Sequence, residues 1–221
     1  MIKYLAWDSD FFDNKIGKLI YREGDEWPTE QEFRAFDLVY IFSNTALDLN
    51  YPLYDIKFTF YKETQSKLFP ASVYLYDNEK HDYIQLQELV FLSGHDSRFR
   101  KDPFFGEQAF KNLYKAWIDK SLNTVNSKVL VYEEESQLLG FIAIKEENNK
   151  AFIDLIAVIP EAQGKGVGHQ LVDAVDSILG DSKMLYVPTQ QTNAQACHFY
   201  EKCGFKISDK HYIYHYAKDS F

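Results

Sequence analysis

Apolar side chains recur along this chain with two different spacings, and each spacing predicts a different element. Spacings of three and four residues predict helices, whereas alternation or a short apolar run predicts a strand. In the second half of the chain, the predicted helices span residues 83–92, 106–122, 166–179 and 192–202. The predicted strands there span residues 128–133, 138–145, 151–159 and 184–187, followed by a final hairpin of 205–207 and 212–217.

The first half of the chain has shorter runs and no chemical motif of its own. Its pattern predicts strands at 18–22, 38–42, 55–61 and 73–76, a short helix at 30–36, and a helix and turn at 47–54. A polar, charged segment at 77–82 (DNEKHD) is typical of a linker. The sequence therefore predicts an α/β (α+β) protein with a small N-terminal α/β domain, residues 1–78, and a main domain, residues 79–221.

Composition indicates a globular protein and argues against a nucleic-acid partner. With 46% hydrophobic and 26% charged residues, the chain of 221 residues can bury a sizeable core. The formal net charge of −9 offers no broad positive surface for a phosphate backbone, although a local anion site needs only a few cations. No run approaches the roughly 20 apolar residues of a membrane span, and the acidic N-terminus is unlike a signal peptide. We expect a soluble, cytoplasmic protein.

A glycine-rich turn between a predicted strand and a predicted helix is the first segment with recognisable chemistry. Residues 163–168 have the sequence QGKGVG. Glycines let the backbone turn sharply and approach a ligand, and the first N–H groups of the next helix lack partners within that helix. The helix dipole adds a positive end, so we expect a diphosphate to bind here. The candidate ligands are Gln163, Gly164, Lys165, Gly166, Val167 and Gly168.

Two well-known phosphate-binding turns do not fit this segment. A P-loop requires GxxxxGK[ST], and a dinucleotide-binding GxGxxG requires an acidic residue about 20 positions further on. A plain glycine cap of a helix is the simpler alternative. The full pattern, Q-x-x-G-x-G after the strand and proline of residues 156–160 (IAVIP), resembles the coenzyme A motif of the GNAT (GCN5-related N-acetyltransferase) superfamily.

A second segment carries the same resemblance. Residues 193–205 (NAQACHFYEKCGF) are similar to the N-x-x-A-x-x-x-Y-x-x-x-G-F element of that superfamily. On a helix, Asn193, Ala196 and Tyr200 share one face. The resemblance implies that Asn193, Ala196 and Phe199 contact the coenzyme, and that the Tyr200 hydroxyl lies beside the thioester sulfur. The alternative is that Tyr200 is an amphipathic tyrosine of the core.

The resemblance also implies a fold and a mechanism. The GNAT fold has a mixed sheet that is splayed at the acyl-CoA site, and acetyl-CoA is the co-substrate. No metal is required, and Tyr200 acts as general acid toward the leaving thiolate. The backbone N–H of Ile156 polarises the thioester carbonyl. Pantetheine lies along one strand, against Ile156, Ala157 and Val158. The proton acceptor is left open among several candidates: Asp154, Glu88, His95 and a chain of waters.

Short segments outside both motifs bear on the acceptor. Residues 7–12 (WDSDFF) and 97–100 (SRFR), with the aromatic helix that follows, resemble bacterial dTDP-fucosamine acetyltransferases. This resemblance implies an amino-sugar acceptor of the dTDP-4-amino-4,6-dideoxyhexose type and a role in cell-surface polysaccharide biosynthesis. Arg98 and Arg100 are the candidate ligands of its diphosphate, because guanidinium forks suit phosphate oxygens. The alternative for this loop is a solvated charged segment.

Two other functions stay open at this point. The same chemistry can serve another amine, such as a peptide α-amine, a polyamine or a small amine, and an acidic chain suits a cationic acceptor. The chain could also be a non-catalytic acyl-CoA-binding module. Neither a nucleic acid nor a membrane span is expected. The aromatic N-terminal half leaves a homodimer open.

Overall fold

The computed structural model describes residues 1–218, and its longer helices lie where the sequence predicts them. The helices are α1 (Ala6–Phe12), α2 (Glu30–Arg34), α3 (Tyr83–Ser93), α4 (Arg98–Lys101), α5 (Gly106–Asn123), α6 (Val167–Leu179) and α7 (Ala194–Lys202), with a 3₁₀ turn at Pro160–Ala162. Local chemistry sets their ends: Asp82 begins α3 by accepting a hydrogen bond from the N–H of Ile84 at 2.7 Å. In the described part of the chain, no helix has both the length and the apolar character that crossing a bilayer requires.

The strands of residues 1–218 form one mixed sheet. They are β1 (Lys3–Tyr4), β2 (Ile16–Tyr21), β3 (Leu38–Ser43), β4 (Leu53–Glu63), β5 (Val73–Leu75), β6 (Ser127–Glu134), β7 (Gln137–Glu147), β8 (Lys150–Val158), β9 (Met184–Gln190) and β10 (Lys206–Ala217). Their order across the sheet is β1-β2-β3-β10-β4-β9-β8-β7-β6-β5. The pairs β2–β3 and β8–β9 are parallel, and the other neighbours are antiparallel.

Strands from both halves of the chain alternate in the middle of this sheet. The last strand, β10, pairs with β3 on one side and with β4 on the other, and β4 in turn pairs with β9. The polar segment 77–82 connects β5 to α3. Backbone hydrogen bonds of the sheet therefore continue across the boundary between residues 1–78 and 79–221. The division of the chain into two domains, residues 1–78 and 79–221, stays a prediction.

Helices cover both faces of the sheet and bury an apolar core on each. On one face, α3 and α5 contribute residues such as Leu113 to a buried cluster that also contains Phe141 and Ile213. On the opposite face, α6 contributes Leu171 to a second cluster that also contains Leu185. The apolar residues of α6 recur every three or four positions, which is why this helix can lie flat against the strands. The two cores hold β7, β8 and β9 between layers of helices.

Two predicted elements are wrong, and two short helices, α1 (Ala6–Phe12) and α4, were not predicted. Residues 205–217 do not form a hairpin, because a register shift between Ile207 and Asp209 lets β10 stay paired with β4 through the polar stretch. Residues 47–54 contain no helix, and the N–H of Leu47 donates to the Tyr214 hydroxyl of β10 at 2.8 Å. The segment 97–100, expected to be a loop, forms most of α4 (Arg98–Lys101). For the first two, contacts with distant strands outweigh the local pattern.

Candidate functional site

Two neighbouring parallel strands separate partway along their length and open a gap in the sheet. β8 and β9 pair only through residues 150–152 and 184–186, although β8 continues to Val158 and β9 to Gln190. A cavity of about 890 Å³ lies at this gap. The predicted splay of the sheet is confirmed. The cavity is lined by residues from both strands, among them the β8 residues expected to hold pantetheine, Ile156, Ala157 and Val158.

A bulge in β8 decides which backbone groups face the gap. The register with β7 shifts at Asp154, so β8 carries one extra residue there. Beyond the bulge, the N–H of Ile159 donates to the carbonyl of Leu139, on the β7 side, at 2.9 Å. Alternate residues of a strand direct their N–H groups to opposite sides. The N–H groups of Ile156 and Val158 therefore point into the gap, where an extended ligand can pair with them.

The glycine-rich turn of residues 163–168 forms another part of the cavity wall. Gly164 and Gly166 have φ angles of 74° and 89°, a region that residues with a Cβ rarely adopt. A Cβ added at either position would meet no atom of the described chain within 4 Å. Helix α6 begins directly afterwards, at Val167. The open backbone and the first N–H groups of α6 together form a cradle that fits a diphosphate.

Existing hydrogen bonds limit which atoms of this turn are free to bind. The N–H groups of Gln163 and Lys165 already donate to carbonyls of the preceding 3₁₀ turn, at 3.2 and 3.4 Å. Gln163 also donates from its side chain to the carbonyl of Val158 at 3.1 Å. Lys165 is exposed, and the side chain of Val167 is buried in the core; neither lines the cavity. We therefore expect a phosphate to meet the N–H groups of the glycines rather than those of Gln163 and Lys165.

Helix α7 presents the second predicted group to the same cavity. Asn193 caps the helix, because its carboxamide oxygen accepts from the N–H of Ala196 at 3.0 Å. Its amide nitrogen is the group left to donate to a ligand. Phe199 packs over the start of α6, where a Cβ on Gly168 would approach the ring to 3.0 Å. Asn193, Ala196, Phe199, Gly168 and Tyr200 all line the cavity.

Tyr200 reaches the cavity from a buried position. Its side chain is 3% exposed. The ring packs against Phe60, Phe199 and Phe205, with centroid distances of 5.6, 5.3 and 5.6 Å. Burial raises the pKa of Tyr200, so the hydroxyl stays protonated in the neutral range. A protonated hydroxyl at a cavity wall can donate to a leaving group.

The two predicted arginines of α4 lie in different surroundings. Arg98 lines the cavity, and its Cζ lies 4.3 Å from the ring centroid of Phe99 and 4.9 Å from that of Tyr40. Its Nε is buried and has no hydrogen-bond partner among residues 1–218. Arg100 does not line the cavity, and its guanidinium pairs with Glu107 at 3.3 Å. Only Arg98 is placed to meet a ligand in this cavity.

A buried pair fixes α4 against the last strand. Nδ1 of His215, on β10, lies 2.5 Å from Oδ2 of Asp102, the residue that ends α4. His215 is 1% exposed, and burial lowers its pKa to about 4. The neutral ring can then make this contact by donating from Nδ1 to the carboxylate. This hydrogen bond anchors the short helix that carries Arg98.

Two charged residues of β4, which belong to no recognisable sequence motif, also line the cavity. Asp55 and Lys57 alternate with apolar residues and so share one face of the strand. Burial raises the pKa of Asp55 to about 6, although nearby Arg98 and Lys101 act to lower it. Burial also lowers the pKa of Lys57. A carboxyl that ionises near pH 6 is suited to accept a proton from an amine.

The other candidate bases divide between the cavity and the surface. Asp154 and His95 line the cavity, whereas Glu88 is exposed on α3 and is not part of the lining. The His95 side chain is 70% exposed and lies 3.6 Å from Asp96. Within residues 1–218, no group of three or more His, Cys, Asp or Glu side chains is arranged to hold a metal ion.

Curated relatives match parts of the chain at modest identity. The spore coat polysaccharide biosynthesis protein SpsD of Bacillus subtilis is 25% identical over 121 residues, which are 54% of this chain and 42% of that protein. The peptidyl-lysine N-acetyltransferase YiaC of Escherichia coli is 33% identical over 84 residues, which are 38% of this chain and 53% of that protein. The chain thus spans about half the length of the curated relatives that it matches.

A solved structure and a family model describe the fold. A conserved protein of unknown function from Staphylococcus epidermidis superposes with a TM-score of 0.65 at 15% identity, covering 92% of this chain and 84% of that one. At this identity, the likeness shows the fold alone. The model of the acetyltransferase (GNAT) family matches residues 93–205, the stretch that holds the splayed strands, the glycine turn and Tyr200. The predicted mixed-sheet fold is confirmed, and this chain belongs to the GNAT family of acetyltransferases.

Proposed function

We propose that this chain is an acetyl-CoA-dependent N-acetyltransferase whose acceptor is a nucleotide-linked amino sugar of the dTDP-4-amino-4,6-dideoxyhexose type. One observation carries the proposal. A single cavity joins the glycine turn of residues 163–168 to Tyr200 and to the charged wall that includes Asp55 and Arg98. A donor bound at the turn and an acceptor bound at the charged wall can meet in this cavity, which turns a bimolecular encounter into a positioned reaction.

Backbone groups account for the donor half of the proposed site. The N–H groups of the glycine turn take the pyrophosphate of acetyl-CoA. The unpaired edge of β8 takes the amides of pantetheine, in the place that β9 leaves open. The N–H of Ile156 points into the gap, where it can polarise the thioester carbonyl. The co-substrate supplies the activated acetyl group.

The transfer itself needs one proton acceptor and one proton donor. The amine nitrogen attacks the thioester carbon, the C–S bond breaks, and the acetyl group ends on nitrogen as an amide. Asp55 accepts the proton that the amine loses, and Tyr200 gives a proton to the sulfur. Solvent then carries the proton from Asp55 back to Tyr200. Both groups line the same cavity, and Asp55 is ionised above about pH 6.

Several features support a nucleotide-linked amino sugar as the acceptor. The segments 7–12 and 97–100 meet in space, since the rings of Phe12 and Phe99 stack with centroids 6.3 Å apart. The guanidinium of Arg98 has the fork that suits phosphate oxygens. The relative SpsD is named for spore coat polysaccharide biosynthesis. Because acetyl-CoA is used inside the cell, the proposal places the reaction in the cytoplasm.

Release of free thiol from acetyl-CoA tests this function directly. The purified chain is supplied with dTDP-4-amino-4,6-dideoxygalactose, with other nucleotide-linked amino sugars, with spermidine, and with a peptide that carries a free α-amine and a lysine. The proposal expects kcat/KM for a nucleotide sugar to exceed that for the other amines by about 10²-fold or more, since a site with polar partners for its substrate rejects analogues that lack them. Failure of every nucleotide-linked amino sugar to react would exclude this acceptor.

A cationic amine is the second candidate acceptor, and the acidity of the protein favours it. Asp55, Asp96 and Asp154 line the cavity, and the formal net charge is −9. The relative YiaC is named as a peptidyl-lysine N-acetyltransferase. Faster turnover of spermidine or the peptide in the same assay would favour this candidate. Binding of acetyl-CoA without thiol release from any amine would favour a non-catalytic module.

A further inference from the structure

Three positively charged side chains from distant parts of the sequence converge on one aromatic ring, that of Phe42 in β3. Nζ of Lys18 lies 4.3 Å from the ring centroid, Nζ of Lys57 lies 5.5 Å from it, and Cζ of Arg98 lies 5.8 Å from it. Lys57 and Arg98 also line the cavity of the candidate site. Phe42 is 7% exposed, so the three cations surround a largely buried ring.

These three cations, the Phe42 cluster, have no anionic partner of their own. Within residues 1–218, none of them forms an ion pair with a carboxylate, and the buried Nε of Arg98 has no hydrogen-bond partner. Elsewhere in the protein, Lys62 and Lys128 each pair with a carboxylate at 2.6 Å. The chain has 33 acidic and 24 basic residues, so a shortage of acids does not explain three unpaired cations.

Three carboxylates act on the Phe42 cluster without forming an ion pair with it. Asp8 of α1, Asp55 of β4 and Asp209 of β10 act to raise the pKa values of the cations, but burial and mutual repulsion oppose them. Burial lowers the pKa of Lys57, and Arg98 and Lys18 lower it further. Burial also raises the pKa of Asp8 and of Asp55. A ligand that brings negative charge would relieve this repulsion.

We propose that Lys18, Lys57 and Arg98 form the subsite for the diphosphate of the acceptor nucleotide, an inference that rests on the function proposed above. A diphosphate offers several oxygens and at least two negative charges, which suit one guanidinium fork and two ammonium groups. A single carboxylate would leave most of the repulsion in place. Asp55 is next to Lys57 on the same face of β4, so a diphosphate bound here holds the attached sugar close to the proton acceptor.

Binding of dTDP to the CoA-saturated protein tests the subsite, with isothermal calorimetry as the measurement. Because CoA already fills the phosphate site of the glycine turn, the heat of dTDP binding reports on a second phosphate site. The variants are Lys18→Gln and Lys57→Gln, and Lys15→Gln is the matched control because Lys15 lies 5.1 Å from the Phe36 ring but is exposed and outside the cavity lining. Each cluster substitution should weaken dTDP binding about tenfold, or roughly 1.4 kcal/mol. The control should stay within about twofold.

Two further probes identify the part of the ligand that is bound. Inorganic pyrophosphate should compete with dTDP and should lose affinity in the same two variants, whereas acetate at equal concentration should not compete. Wild-type protein that binds neither dTDP nor pyrophosphate would overturn the subsite. So would cluster variants that bind dTDP as tightly as the control while keeping its thermal midpoint.

Steady-state kinetics separate this inference from the proposed function. If both cluster variants acetylate a nucleotide-linked amino sugar with the KM of the control, the function stands and the subsite is wrong. If dTDP binding falls in the variants but no nucleotide-linked amino sugar is acetylated, the subsite stands and the proposed acceptor is wrong.

Discussion

Replacing Tyr200 by phenylalanine should remove most of the turnover and little else. The change deletes one hydroxyl from a side chain that is 3% exposed and keeps the ring between Phe60, Phe199 and Phe205. A change that conserves volume in this way usually costs less than about 1.5 kcal/mol of unfolding free energy. A positioned general acid contributes about 10²–10⁴-fold in rate, equivalent to about 3–5 kcal/mol of transition-state stabilisation. We therefore expect kcat to fall by that factor while the Kd for acetyl-CoA changes little.

Thiol release at saturating acetyl-CoA measures kcat for this variant, and calorimetry measures the Kd. Tyr186→Phe is the matched control, because Tyr186 lies on the neighbouring β9, stacks on Phe152 with centroids 5.5 Å apart, and does not line the cavity. It loses the same hydroxyl and should keep wild-type kcat. An unchanged kcat in Tyr200→Phe would refute the acid role. A weaker Kd with unchanged kcat would instead assign Tyr200 to binding.

Three further outcomes concern the charged wall and a buried ion pair. Asp55→Asn should lower kcat/KM by about 10²–10⁴-fold, because only an ionised carboxylate accepts a proton. It should also abolish the rise of kcat/KM that the wild type shows as the pH increases through about 6. A pH profile that keeps this rise would exclude Asp55 as the base. Arg98→Gln should raise the KM for a nucleotide sugar about tenfold, whereas Arg100→Gln should leave it nearly unchanged; equal effects in the same kinetic assay would contradict the placement of the two arginines. Asp176→Leu should lower the free energy of unfolding by about 3–5 kcal/mol in urea titrations, because Lys62, whose side chain is 9% exposed, loses the carboxylate 2.6 Å away; adding Lys62→Met should restore much of that loss.

The donor side of the site is local in sequence, which explains why the sequence predicts it. A strand end, a turn and a helix start lie within residues 154–168. The positive φ angles of Gly164 and Gly166 favour glycine whatever surrounds them. In the helix predicted at 192–202, the helical period alone predicts that Asn193 and Tyr200 share one face. Patterns of this range depend on neighbours along the chain, so they can be recognised without knowing the fold.

Arg98 and Arg100 show that local patterns do not always predict which residues line the site. In a loop, Arg98 and Arg100 are equivalent candidates for a phosphate ligand. Helix α4 makes them different, because residues two positions apart on a helix do not face the same side. Arg98 lies over Tyr40 in the cavity wall, and Arg100 pairs with Glu107 outside the lining. A four-residue helix is too short for the hydrophobic pattern to predict.

The charged wall of the cavity is formed by residues that lie far apart in the sequence. Asp55 and Lys57 alternate with apolar side chains, a pattern that predicts a strand with one face toward solvent. They line the cavity because β4 is inserted between β9 and β10, where Lys57 is paired with Gln190. Lys18 joins them through the pairing of β2 with β3. Local patterns along the chain were enough to predict the family and most elements, and they also predict a donor site at residues 154–168. Only the order of the strands brings the residues of the charged wall together. That order depends on how side chains pack across the whole sheet, which the pattern of a single strand does not contain.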